Sequence, residues 1–242
     1  MDEDQPPGPG GRTVVVTGGT SGIGAAIAAR FAAAGDDVTV AGLDADGAAG
    51  RLPGGVRAVQ LDVTDDAALQ DFLGGFDTLD VLVNAAGVIA RQREYDLDVF
   101  TRVVGVNLTG TMRCCVAARE ALARSGGCIV NVASMLSYFG GPKVPAYSSS
   151  KGGVVQLTKS LAVAWAEHGI RVNAVAPGWI RTGLTSELHE STEASRRIVE
   201  RTPMGRWGAP EEVAGAVAFL AGPDAGFITG AVLAVDGGYL AA

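Results

Sequence analysis

The stretch Val14-Val15-Val16-Thr17-Gly18-Gly19-Thr20-Ser21-Gly22-Ile23-Gly24, running into the alanine-rich segment Ala25 to Ala34, decides the fold. Three β-branched residues, a tight turn and a helix start are written there in order. Glycine at such a turn lets the backbone approach a ligand where a Cβ would collide, and the unpaired N–H groups of the first helical turn point at an anion. Pyrophosphate is the natural guest. Gly18, Gly22 and Gly24 give the spacing G-x-x-x-G-x-G, which is neither the common G-x-G-x-x-G fingerprint nor a P-loop. Glycine clusters alone say little in a chain with 35 glycines. The flanking strand and helix carry the weight.

Outward from that turn, Gly35 ends the first helix and Val38-Thr39-Val40-Ala41 forms the next strand, completing a βαβ unit. Asp44 lies twenty positions beyond Gly24, where a Rossmann unit places a carboxylate on the adenosine ribose; a plain turn residue explains it equally well. Asp46 to Gly55 is expected to hold little helix. Further strands are expected at Val56 to Leu61, Leu79 to Val83, Cys128 to Ala133, Ile170 to Val175 and Ala231 to Val235. Helices fall between them, capped at Thr64-Asp65-Asp66 and Pro210, with long ones at Leu97 to Arg124 and Ala146 to His168. Gly105 and Gly110 weaken the first long helix around Asn107. Thr182 to Pro203 is polar and weakly helical.

Strands that alternate with helices and are apolar throughout mean a parallel sheet covered on both faces. The expectation is a single doubly wound α/β Rossmann domain over residues 12–242, with a seven-stranded, mostly parallel sheet and helices on both faces. Residues 1–11, acidic and then rich in proline and glycine, are expected to form a disordered tail, and a mobile lid is expected at about 181–204.

A chain of 242 residues with 48% hydrophobic content can bury a large core. Twenty-six acidic against nineteen basic residues give net charge −7, which disfavours nucleic acid as a partner. No apolar run is long enough to span a membrane. The three cysteines, Cys114, Cys115 and Cys128, lack metal-ligand spacing and read as core residues in a reducing, cytoplasmic compartment, with no metal site expected.

The pattern richest in chemistry is Tyr147-Ser148-Ser149-Ser150-Lys151. Residues four apart on a helix share a face, so an ammonium beside a phenol favours its ionised form. An unperturbed tyrosine titrates near ~10, too high for a base at neutrality. Ser134, arriving from a strand end, could hold a reacting carbonyl oxygen toward Tyr147. Proton transfer at an alcohol or carbonyl oxygen follows, with the hydride left to a nicotinamide.

Thr17-Gly18-x-x-x-Gly22-Ile23-Gly24, Asn84-Ala85-Ala86-Gly87, Asn107, Ser134, Tyr147-x-x-x-Lys151 and Pro177-Gly178 together resemble the classical short-chain dehydrogenase/reductase family from Thr13 to Leu240. The resemblance implies an NAD(P)-dependent oxidoreductase that interconverts a secondary alcohol and a ketone. It implies Tyr147 as general acid/base, Lys151 on the nicotinamide ribose, Ser134 on the substrate oxygen, and Asn107 holding a water that relays protons to Lys151. It also implies that Gly18, Thr20, Ser21, Gly22, Ile23 and Gly24 hold phosphates, that Asp62 and Val63 meet adenine, and that Asn84, Ala85, Ala86 and Gly87 line the cleft. Pro177, Gly178, Ile180 and Thr182 would flank the nicotinamide. A homotetramer is implied, packed through the helices carrying Asn107 and Tyr147, with Trp165 and Tyr239-Leu240 at interfaces.

Ser21 and Leu43 stand where relatives that use NADP carry basic residues, and Gly42 where relatives that use NAD carry an acid. NAD is the expected cofactor, with Asp44 on ribose, and NADP the alternative. Ser134 to Gly141, Pro203 to Gly208 and Val235 to Leu240 are similar to the branch with 2-deoxy-D-gluconate 3-dehydrogenase and gluconate 5-dehydrogenase. Arg91, Arg93, Lys143 and Arg181 could bind a substrate carboxylate, or simply be solvated. The expected partner is a small alcohol or ketone, with an NADPH-dependent 3-oxoacyl or polyketide ketoreductase as the alternative and a non-catalytic dinucleotide-binding regulator as the rival from another class.

Overall fold

The computed structural model describes residues 11–242, so the expected tail lies, up to residue 10, outside the described residues. The opening strand β1 (Thr13–Thr17) carries Val14, Val15 and Val16, all fully buried. Burial of each such side chain contributes about 1.5–3 kcal/mol. Helix α1 (Gly22–Ala32) returns over the sheet to β2 (Asp37–Gly42), and Gly35 turns the chain between them at φ 88°. The chain continues through α2 (Ala45–Ala49), β3 (Arg57–Gln60), α3 (Asp66–Leu73) and β4 (Val81–Asn84). The stretch expected to hold little helix holds the single turn α2: Ala45 and Ala48 bury on one side of it, and the Ala48 N–H reaches the Asp44 carbonyl.

Beyond β4 come α4 (Leu97–Val104), α5 (Thr111–Ser125), β5 (Cys128–Val132), α6 (Pro145–Trp165) and β6 (Arg171–Pro177). The break between α4 and α5 is a π-helical turn, Gly105–Gly110, which is where the two glycines weaken the long helix. Short helices α7 (Ser186–Glu190) and α8 (Thr192–Arg201) precede α9 (Pro210–Leu220) and β7 (Val232–Val235). Pro177 ends β6, two residues beyond the expected strand, and pairs with Val235 of the edge strand.

The sheet order is β3-β2-β1-β4-β5-β6-β7, and every pairing is parallel. One face is covered by α1 and α9 through Ile27, Phe31, Val213, Val217 and Leu220; the other by α3, α5 and α6 through Leu69, Leu73, Leu122 and Leu161. The order reverses between β1 and β4. A crevice therefore opens beyond their carboxyl ends, which is where such sheets bind ligands. A chain of buried amides holds this point: the Asn84 amide donates to Asn131 Oδ1 (3.0 Å), and Asn131 donates to the Thr158 hydroxyl (2.9 Å). Trp165 and Tyr239, expected at interfaces, are 8% and 6% exposed within this chain alone. Trp165 packs into the core beside Leu161; Tyr239 stacks on Phe139 at 6.0 Å. No helix among the described residues is long and apolar enough to cross a membrane.

Candidate active site

At the switch point the cavity wall is backbone. Gly18 takes φ +68° and Gly22 φ +54°, the left-handed region that only glycine enters freely. A Cβ on Gly18 would also lie 2.5 Å from the Ala86 nitrogen, so β4's end and the turn close on each other only because that atom is missing. Gly24 is shielded likewise, since a Cβ there would collide with the Gly18 carbonyl. The first turn of α1 presents its free N–H groups to a cavity of about 670 Å³. This cradle fits a dinucleotide pyrophosphate.

The same cavity is lined by Gly18, Thr20, Ser21, Gly22, Ile23, Gly24, Asp62, Val63, Ala85, Ala86 and Gly87. It is also lined by Ser134, Tyr147, Lys151, Pro177, Gly178, Ile180 and Thr182. Residues more than a hundred positions apart in sequence thus share one wall. Asp62 is half committed, accepting from the Thr64 N–H and hydroxyl, both at 2.8 Å. Three expected residues, Asp44, Asn84 and Asn107, are not among those lining the cavity. The Asn84 amide is consumed by the buried polar chain under the turn, and the exposed Asp44 carboxylate pairs with Arg51 at 2.9 Å. The Thr20 side chain explains Gly42: a Cβ there would meet the Thr20 hydroxyl at 2.8 Å.

Helix α6 delivers Tyr147 and Lys151 on one face, and the end of β5 delivers Ser134. The Ser134 hydroxyl accepts the Leu136 N–H at 3.1 Å and stands near enough to the Tyr147 phenol to favour its ionised form. Lys151 Nζ lies 5.7 Å from the centre of the Tyr147 ring and donates to the Val132 carbonyl at 2.6 Å. Burial pulls Lys151 down to about 8. Burial also pushes Tyr147 up, opposed first by the Ser134 hydroxyl and then by the Arg91 cation, while Glu94 adds to the rise. Within the protein chain, Ser134 and Arg91 are the groups that favour the ionised phenol. The lysine is itself too desolvated to hold its full charge above neutrality.

Asn107, fully buried in the π-helical turn, accepts from the Val88 N–H (2.8 Å) and donates to the Val88 carbonyl (2.9 Å) and the Ser150 hydroxyl (3.1 Å). A Cβ on Gly87 would stand 3.5 Å from Asn107 Oδ1 and 3.6 Å from Lys151 Nζ. Glycine leaves a gap that both groups border.

Sequence reading missed several wall residues: Leu43, Thr64, Arg102, Val106 and Leu184 also line the cavity. None carries a motif, and each reaches the wall through the winding of the sheet. Of the four basic residues weighed for a carboxylate, Arg91 stands out. It is half-buried, its guanidinium donates to the Leu184 carbonyl at 3.0 Å, and burial lowers its pKa while its attraction to Tyr147 opposes that. Arg93, Lys143 and Arg181 are exposed. Trp179 lines a separate, smaller cavity of about 280 Å³.

A doubly wound sheet, a glycine cradle at its switch point, and a serine, tyrosine and lysine on the same cleft define a nicotinamide-dependent oxidoreductase. A family model described as enoyl-(acyl carrier protein) reductase matches residues 18–240. A cis-4-hydroxycyclohexanecarboxylate dehydrogenase of Sinomonas cyclohexanicum is 45% identical, covering 95% of this chain and 97% of its own. A 2-dehydro-3-deoxy-D-gluconate 5-dehydrogenase of Pseudoalteromonas atlantica is 38% identical, covering 95% and 96%. Among solved structures, an Agrobacterium tumefaciens protein provisionally assigned as 2-deoxy-D-gluconate 3-dehydrogenase, with bound NADP, superposes with TM-score 0.89 at 41% identity over 97% of this chain and 98% of its own. The chain belongs to the short-chain dehydrogenase/reductase family. It is an NAD(P)-dependent oxidoreductase acting on CH–OH groups.

Proposed function

We propose that the protein interconverts a secondary alcohol that carries a carboxylate, a cyclic hydroxy acid or a sugar acid, and the corresponding ketone. The observation that carries this reading is the half-buried Arg91, bonded to Leu184 of the cavity wall and with its charge felt by the Tyr147 phenol. A guanidinium there can anchor a carboxylate while the hydroxyl of the same substrate lies on Tyr147. Both named relatives act on compounds of that chemistry.

In this reading Tyr147 takes the hydroxyl proton on oxidation and returns it on reduction, and Ser134 donates to the substrate oxygen and fixes its place. Lys151 binds the nicotinamide ribose, and Asn107 holds a water in the gap beside Gly87 so that a proton reaches Tyr147 through Lys151. A nicotinamide, when bound, accepts or returns the hydride at the carbinol carbon. Gly18, Thr20, Ser21, Gly22, Ile23 and Gly24 would hold its phosphates, Asp62 and Val63 its adenine, and Ala85 to Gly87, Pro177, Gly178, Ile180 and Thr182 its nicotinamide half. Asp44 would reach the ribose only by leaving Arg51, and Asn84 acts through the backbone it supports.

NAD is the preferred cofactor in this reading, because Thr20, Ser21 and Leu43 offer no cation to a 2′-phosphate. A second reading, an NADPH-dependent 3-oxoacyl or polyketide ketoreductase, is favoured by Arg102 on the cavity wall and by the NADP bound to a structural relative. Catalytic efficiencies with NADH and NADPH separate the two. The segment 181–204 acts as a lid, since Thr182 to Thr185 line the cavity and its helices α7 and α8 lie over the surface. A cytoplasmic homotetramer completes the proposal: Met112 and Val116 on α5 and Val163 on α6 are exposed apolar side chains on the two long helices. Sedimentation equilibrium reads the assembly. Initial rates with cis-4-hydroxycyclohexanecarboxylate, 2-dehydro-3-deoxy-D-gluconate, neutral cyclohexanol and a β-ketoester test the substrate class. Turnover confined to the neutral compounds would contradict it.

A further inference from the structure

Glu94 is a carboxylate only 1% exposed, in the turn between β4 and α4. A carboxylate is expensive to bury unless its oxygens are bonded, and here both are. One oxygen accepts the Ala90 N–H at 2.9 Å; the other accepts the Tyr147 N–H, 53 residues on, at 2.9 Å. Pro145 opens α6 without an N–H, and Val144 before it has no side chain to cap the helix. A local serine or aspartate would have capped that helix at less cost. A remote carboxylate does something a local cap does not: it ties the helix start to the turn that carries Arg91.

Two more bonds run in parallel. The Gln92 N–H donates to the Lys143 carbonyl at 2.9 Å, and the Tyr95 hydroxyl donates to the Pro142 carbonyl at 2.9 Å. Gln92 is held at φ 68°, a left-handed conformation that a residue with a side chain adopts only where its surroundings impose it. The turn is bent so that the Arg91 guanidinium reaches the Leu184 carbonyl.

We propose that Glu94 is a positioning residue for Tyr147: its buried carboxylate clips the Arg91 turn to the first turn of α6, so that phenol, guanidinium and the Ser134 hydroxyl keep one relative placement. This rests on the reading of Tyr147 as the proton-transfer group. Around that phenol stand Lys151 from its own helix, Ser134 from the end of β5, and Arg91 and Glu94 from the turn. Of these, Glu94 alone disfavours the tyrosinate by its charge.

The test compares the intact enzyme with Glu94→Gln and Glu94→Asp. Tyrosinate absorbance is titrated in each protein, and the same curve for Tyr147→Phe is subtracted to isolate Tyr147. Glu94→Gln removes a like charge and one N–H acceptor. Its Tyr147 titration is expected to move to lower pH, while kcat for cis-4-hydroxycyclohexanecarboxylate falls about 10- to 100-fold, as a misplacement near 1 Å does, and KM for NAD changes less than about twofold. Glu94→Asp keeps the charge but shortens the reach, so kcat falls and the titration stays.

A folded Glu94→Gln in which either readout stays at its wild-type value overturns the proposal. So does failure of both variants to fold, which would make Glu94 a fold element only. If Glu94→Gln alone fails to fold, an unchanged kcat in Glu94→Asp overturns it. Absence of wild-type turnover on the whole substrate panel would sink the functional reading instead, and the absorbance titration would then decide the placement alone.

Discussion

Along the turn between β1 and α1 the cleft wall is backbone: glycines at positive φ, free helix N–H groups, and a strand end pressed against them with no Cβ between. Across the cleft the wall is side chains, Ser134, Tyr147 and Leu184, each from a different loop or helix, with Arg91 bonded to the Leu184 carbonyl. The first wall is fixed by consecutive residues and answers to steric substitution. The second is fixed by long-range hydrogen bonds and answers to changes of charge and hydroxyl. One site therefore contains two kinds of design, and they should fail separately.

The largest effect expected is on the side-chain wall. Tyr147→Phe removes the proton-transfer group, and kcat should fall by about 10²- to 10⁴-fold, while the dissociation constant for NADH, read by fluorescence, stays within about twofold because the phosphate cradle is untouched. Next comes the backbone wall. Gly18→Ala places a Cβ against Ala86 at a φ of +68°, strain of about 1–3 kcal/mol. NADH binding should weaken by one to two orders of magnitude, with the residual kcat at saturating cofactor far less affected. Loss of turnover with unchanged NADH affinity would break the division between the walls.

Arg91→Met sharpens the comparison from the substrate side. A charge-assisted bond contributes about 1.5–3 kcal/mol, so KM for a carboxylate-bearing alcohol should rise roughly 10- to 150-fold and KM for neutral cyclohexanol hardly at all. The pH profile supplies a second check. The Arg91 cation opposes the burial that raises Tyr147, so its loss raises the phenol further and moves the rising limb of kcat/KM for oxidation to more alkaline pH. A shift toward acid would contradict the assigned contact. The smallest effect is expected at Asp44→Asn: its carboxylate is exposed and paired with Arg51, a pair of the kind that contributes little. The KM for NAD should change less than about threefold.

What the sequence disclosed follows the same division. The sheet, its switch point and the cradle were legible because β1, the turn and α1 are contiguous, and because strands that are buried on both faces are apolar throughout. Ser134, Tyr147 and Lys151 were legible as a chemical set whose members arrive at strand and helix ends. The short helix α2 was not, because a single turn of Ala and Gly has almost no periodicity to read. Nor were Arg102, Val106 and Leu184, whose place on the wall depends on which loops the topology brings together. Helical spacing puts Tyr147 and Lys151 on one face but says nothing of the burial that raises the phenol and lowers the lysine. Trp165 and Tyr239, expected at subunit interfaces, are buried within their own chain.

The account stands or falls on Tyr147 moving a proton for a substrate anchored at Arg91. The most direct measurement is the initial rate of NADH formation from cis-4-hydroxycyclohexanecarboxylate and NAD, for the wild type and Tyr147→Phe side by side. The account predicts steady turnover in the first and less than about 1% of it in the second. Equal rates in the two proteins would contradict it.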